Sequence, residues 1–152
     1  MISPELLRNF HHFSGVSYEC LKIISMISKE KEFDPGDALF DEGNLATHLC
    51  LMLSGEVSIV YRLGDNREVV ADSLIKGDAF GWSAILEPHK LTASCRGAKS
   101  GKYIAIEAEE LRRIFDADNA CGYRIVLEVS KALRDRLSAM RVQIAAGQAV
   151  RV

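Results

Sequence analysis

The spacing of apolar positions changes several times along the chain, and each change marks a different kind of element. Ser3-Pro4-Glu5 is a helix start, with a capping serine, a proline in the first turn and an acid at the positive end of the dipole. Leu6, Leu7 and Phe10 then share a face. After Ser14-Gly15 a second helix begins at Ser17 and turns Leu21, Ile24 and Ile27 inward at helical spacing. From Lys31 to Glu107 the pattern becomes short, turn-punctuated runs. Glu56–Arg62 alternates with period two, Leu63-Gly64-Asp65-Asn66-Arg67 makes a hairpin turn, and Glu68–Leu74 returns. Thr92–Lys99 and Lys102–Glu107 are expected as a further pair, joined at Ser100-Gly101. Many short strands at regular spacing predict a sandwich or barrel.

Helical spacing resumes at Glu109. A short helix to Ala117 turns Leu111, Ile114 and Phe115 inward, and a longer one follows from Asn119 to Ala146. On the long helix Val126, Leu133, Leu137, Met140 and Ile144 fall largely on a heptad stripe. The helix outlasts the strand region it could cover, so the stripe is assigned to a partner helix and a homodimer is expected. The whole is one domain: a helical lead-in over 1–30, a strand region over 31–107 and C-terminal helices over 109–146.

Composition narrows the class of protein. The chain has 152 residues, 48% hydrophobic and 26% charged, which suits one globular domain with its own core. A net charge of -2 gives no general attraction to nucleic acid or anionic membrane. Arg124, Lys131, Arg134, Arg136 and Arg141 gather on the long helix, but Glu128 and Asp135 interrupt them, so they read as a solvated helix face. Cys20, Cys50, Cys95 and Cys121 lie far apart without a Cys-x-x-Cys pair, which predicts reduced, buried thiols and no metal site. With no membrane-length apolar run and no signal pattern, the expected location is cytoplasmic.

Candidate catalytic groups do not converge. His11 and His12 are adjacent rather than three or four apart, and both are read as surface residues. His48 and His89 stand singly, and Ser54, Ser83 and Ser94 lack the glycine setting of a nucleophile elbow. The expected function is therefore not enzymatic.

The most informative stretch is Lys76–Arg96. Gly77 and Gly81 bracket Asp78-Ala79-Phe80, and a short helical turn follows from Trp82. Backbone N–H groups at the start of such a turn have no internal partner and form a nest for an anion. Phe80-Gly81-Trp82-Ser83-Ala84-Ile85-Leu86, followed by Thr92-Ala93-Ser94, resembles the phosphate cassette of the cyclic nucleotide-binding domain family. That cassette runs Phe-Gly-Glu-Leu-Ala-Leu-Leu, a spacer, then Pro-Arg-x-Ala-Thr/Ser. Phe33–Gly43, with Gly36 and Gly43 at its turns, resembles the family's opening pair of strands, and Leu49–Val57 resembles its next hairpin.

The resemblance implies a mainly β jelly roll with N-terminal helices and a long C-terminal helix, acting as a stand-alone sensing or regulatory module. It also implies a ligand site at Phe80, Gly81, Trp82, Ser83, Ala84, Lys90, Leu91, Thr92 and Ala93. The family's glutamate, which takes the ribose hydroxyl, is Trp82 here; its phosphate arginine is Leu91, with Lys90 the nearest basic substitute. Adjacent strand residues point to opposite faces, so Lys90 reaches the pocket only if the spacer bulges. Cyclic AMP and cyclic GMP are thus expected to bind weakly or not at all, leaving another small anion or no ligand. Trp82 is expected as a plug of the pocket, with a stacking platform as the alternative. In transcription regulators of this family a winged helix-turn-helix follows the last helix; here the chain stops at Val152, so no DNA binding is expected, and a separate effector protein or ligand-free dimerisation remain as outputs.

Overall fold

The computed structural model describes residues 1–150. The N-terminal helices start where capping predicts: Ser3 accepts the Glu5 N–H at the head of α1 (Pro4–Arg8), and Ser17 accepts the Cys20 N–H at the head of α2 (Tyr18–Met26). Between them a 3₁₀ turn covers His11–Phe13, and the Arg8 guanidinium holds the chain that follows it by donating to the carbonyls of Phe13 and Val16 at 3.1 and 2.6 Å.

Six antiparallel strands form the jelly roll: β1 (Ser28–Phe33), β2 (Ala38–Phe40), β3 (His48–Arg62), β4 (Glu68–Leu74), β5 (Ala79–Phe80) and β6 (Ser94–Glu107). The order is β1-β6-β3-β4, with β2 added to β6 and β5 to β3. Next come α3 (Ala108–Ala117) and α4 (Asn119–Val150). No helix among the described residues is long and apolar enough to cross a membrane.

Strand alternation divides the interior into two cores. Leu49 and Leu51 on β3, with Ile104 and Ile106 on β6, face the helices and pack with Leu7, Phe13, Leu21, Ile24, Leu111, Ile125 and Val129. Their neighbours Cys50, Met52 and Ala105 face the other way and pack with Phe33, Val57, Leu74 and Phe80 inside the roll. Both faces of this stretch are buried, which is why Leu49–Leu53 is a continuous apolar run rather than an alternating one.

Two expected hairpins are single long strands instead. β3 runs unbroken through Leu49–Val57, and β6 runs unbroken through Ser100-Gly101, the two paired with register shifts around Ser54 and Gly55. The glycines that read as turns mark the place where these strands cross closely. A Cβ on Gly101 would lie 2.1 Å from the Ser54 carbonyl oxygen, and one on Gly55, where φ is +79°, would lie 2.6 Å from that of Ser100. The opening strands β1 and β2 likewise pair with β6 rather than with each other. The Leu63–Arg67 hairpin turn forms as read, closed by the Leu63 N–H on the Arg67 carbonyl.

The crossing makes a graded test. Gly55→Ala meets both a positive φ and backbone atoms and should cost about 3 kcal/mol, whereas Gly43→Ala, with a positive φ but nothing within 4 Å, should cost about 1 kcal/mol. Urea unfolding of the two variants checks this ordering.

Candidate functional site

Beside β5 the chain turns sharply to build one wall of a cavity. Gly81 sits at φ +80°, and a Cβ there would meet the His48 carbonyl oxygen at 2.6 Å. Only glycine therefore lets β5 pair with β3 and then enter the 3₁₀ turn Trp82–Ala84. The Ala84 and Ile85 N–H groups close this turn on the carbonyls of Gly81 and Trp82. The turn is also tied from behind, where Arg112 of α3 donates to the Ala84 carbonyl at 2.6 Å and His89 Nδ1 donates to that of Ser83 at 2.7 Å.

The cavity measures about 230 Å³. Of the cassette positions, Phe80, Gly81, Trp82, Ser83, Leu91, Thr92 and Ala93 line it. Ala84 is buried behind the turn and Lys90 is exposed away from the cavity, so neither lines it. The reason for Lys90 is the alternation of a strand-like spacer. Leu91 turns inward, its N–H on the Asn44 carbonyl and its own carbonyl accepting the Gly43 N–H, while Lys90 pairs across from Leu45 on the outer side.

Trp82 does not plug the cavity. The 3₁₀ turn directs its indole to the helical core, where it lies 5.5 Å from the His12 ring and forms a wall between this cavity and a neighbouring one. His12 is correspondingly not a surface residue. A 3₁₀ turn rotates successive side chains by about 120°, so His11 faces solvent while His12 is only 2% exposed, with no partner for Nδ1. Burial, then the neighbouring His11 charge, lower its pKa to about 4, and Glu128 opposes them only in part.

The far wall comes from α4. Leu133, Arg136 and Met140, spaced three and four apart, face the cavity, and Arg136 is its only lining cation among the described residues. Its guanidinium lies 3.4 Å from Asp72 of β4 and 3.9 Å from Asp78 before β5. Asp78 is held in place by accepting the Ile75 N–H at 2.9 Å. The sequence placed Arg136 on a solvated helix face; no local signal separates it from Arg134 or Arg141, and only its phase with Leu133 and Met140 marks it. Phe40, Ile59, Tyr61 and Asp72 were missed for a similar reason, since they join the site only through strand pairing.

Of the heptad positions, Val126, Leu133, Leu137, Met140 and Ile144 are all exposed, while the adjacent Ile125 and Val129 enter the core. The cysteines also depart from expectation. Cys20 and Cys121 are joined as a disulfide, because α2 and the start of α4 bring their Cα atoms to 6.4 Å. Cys50 and Cys95 remain free and buried.

Comparison with known proteins places this geometry among relatives. The cyclic nucleotide-binding domain profile matches residues 30–118, more than half of the chain. The crystal structure of a candidate cyclic nucleotide-binding protein from Geobacter metallireducens is 34% identical, with a TM-score of 0.82, over 90% of this chain and 99% of that one. A voltage-gated inwardly rectifying potassium channel of Gallus gallus is 29% identical over 94% of this chain but only 12% of its own length. A CRP-like cAMP-activated global transcriptional regulator of Mycobacterium tuberculosis is 26% identical over 71% of this chain and 48% of its own. The chain thus spans about a tenth to a half of the curated relatives it matches.

The buried histidine sets a pH test. A folded pKa near 4 against about 6.5 unfolded means stability is full above pH 6.5 and falls as the pH drops from 6.5 to 4. The loss should be about 2 kcal/mol, and His12→Phe should remove that part of the acid sensitivity. Urea unfolding at pH 7.5 and 4.5 measures it.

Proposed function

The chain belongs to the cyclic nucleotide-binding domain family, and we propose that it is a cytoplasmic ligand-sensing regulatory module whose cassette no longer favours cyclic nucleotides. The observation that carries this reading is the shared cavity: the cassette builds one wall and α4 the other, through Leu133, Arg136 and Met140. A ligand that fills it touches both, so its binding energy differs between arrangements of α4, as any ligand-driven shift requires.

The chemistry of the wall argues against cyclic AMP and cyclic GMP as tight ligands. The glutamate and arginine positions of the cassette are Trp82 and Leu91, and Lys90 lies outside the cavity. Each lost charge-assisted hydrogen bond is worth about 1.5–3 kcal/mol, so two together weaken binding at least about 100-fold. What the cavity offers instead is an apolar, aromatic lining with Arg136 at one edge. This suits a small planar anion whose acid group exchanges Arg136 away from Asp72 and Asp78.

Calorimetry with cyclic AMP, cyclic GMP and a planar organic anion such as 1-naphthoate tests the reading. Both nucleotides should bind near millimolar or more weakly, and Arg136→Gln should weaken the aromatic anion by about tenfold or more. Low-micromolar binding of either nucleotide to the unaltered chain would contradict the assignment.

The exposed stripe of α4 supports a homodimer as part of the same proposal, with Leu137 49% and Ile144 62% exposed. Pairing two such helices would bury these side chains in a heptad seam. Light scattering should find the unaltered chain dimeric at about 100 µM and Leu137→Glu monomeric, since a charge in the seam costs several kcal/mol; a monomeric parent chain would refute the dimer.

A further inference from the structure

We propose that Cys20 and Cys121 form a reversible redox site, opened by small thiols and closed by small disulfides of the glutathione class, which sets how firmly α4 is held to the helical layer. The pair joins two elements otherwise weakly tied to each other. Cys20 lies on α2 and Cys121 in the first turn of α4, 101 positions apart, whereas α4 packs chiefly on α3 and the His11–Phe13 turn. Both cysteines are buried, but Cys20 also forms part of the floor of a surface depression of about 220 Å³ walled by Ile23, Glu110, Arg113, Ile114 and Asp118. This depression is the side from which, on the proposal, a small thiolate approaches the Cys20 sulfur. Cys50 and Cys95 have no such role: both are buried inside the roll, where desolvation raises their pKa, that of Cys95 to about 12.

The chemistry is ordinary thiol–disulfide exchange. An incoming thiolate bonds to the Cys20 sulfur, the Cys20–Cys121 bond breaks, and Cys121 leaves as a thiolate that takes a proton. A second thiol then attacks the mixed disulfide, releasing Cys20 as a thiol and the small molecule as its disulfide; the two electrons come from the two small thiols, and closure runs the same steps backwards. In the reducing compartment that the proposed function infers, a bond of this kind exchanges with the thiol pool instead of standing as a permanent staple.

Opening the pair acts on a helix that leads to the cavity. Asp118 caps its first turn by accepting the Cys121 N–H at 3.1 Å, Ile125 and Val129 pack into the core, and Leu133 and Arg136 follow on the cavity wall. Without the sulfur link the start of α4 is held by its cap and by packing on α3 and the His11–Phe13 turn, so local opening there costs less free energy.

The test uses the full folded chain in graded mixtures of reduced and oxidised glutathione, with acid quench, alkylation and mass spectrometry. The number of free thiols should move between four and two at a defined midpoint without denaturant. In the reduced chain, amide exchange in residues 119–131 should quicken by about tenfold or more, with exchange in β3 and β6 little changed. Cys20→Ser should exchange like the reduced chain in every mixture, and Cys50→Ser should keep the full response; the parent chain alone decides the matter if a variant fails to fold. The proposal is overturned if the bond opens only when the chain unfolds, if the folded dithiol does not close, or if exchange in 119–131 is the same in both redox forms. None of these readouts uses a cavity ligand, so they stand or fall apart from the sensing proposal.

Discussion

The burial of Ile125 and Val129 in the helical core, where α4 packs on α3 and the His11–Phe13 turn, is the contact on which the rest of the site depends. Each such side chain is worth about 1.5–3 kcal/mol on full burial. Together they fix both the position and the rotation of α4 as it leaves the core. Once that phase is set, Leu133, Arg136 and Met140 fall over the mouth of the roll, and Val126, Leu137 and Ile144 of the same stripe stay exposed without lining the cavity. The same helix thereby closes a cavity and leaves an apolar stripe exposed along its length.

The cassette meets this helix through Trp82. Its ring faces His12 and the helical core on one side and the cavity on the other. Trp82 thus joins the cassette turn to the N-terminal helices. That packing leaves His12 enclosed and neutral near physiological pH. The cation at the cavity comes from another element, because Arg136 approaches across it from α4 and is held by Asp72 and Asp78 of the roll.

Much of this was legible in the sequence because the signals were local. The caps at Ser3 and Ser17, the turn at Leu63–Arg67 and the glycine-marked cassette each declare themselves within a few residues. Strand alternation left Lys90 a candidate only for a bulged or looped spacer, and the spacer is instead strand-like, with Lys90 on the outer side and Leu91 inside. What was not legible depends on distant strands or helices meeting. Gly55 and Gly101 read as turns because their requirement is for close backbone approach, which only pairing of β3 with β6 creates. Cys20 and Cys121 read as isolated thiols because 101 positions separate them. His12 read as exposed because two adjacent histidines lack metal-ligand spacing and nothing local shows the helical core and Trp82 that enclose one of them. Only its phase with Leu133 and Met140 sets Arg136 apart from its solvated neighbours, and the acids that hold it, Asp72 and Asp78, come from the distant roll.

On the proposed reading, cassette and α4 enclose one ligand cavity and respond as a unit. Side-chain NMR during titration with 1-naphthoate tests it most directly, reading the Trp82 indole N–H, the Arg136 Nε–H and the methyl groups of Leu133 and Met140. The account predicts that all four signals move together and fit a single dissociation constant. Movement at Trp82 with the α4 signals unchanged would contradict it.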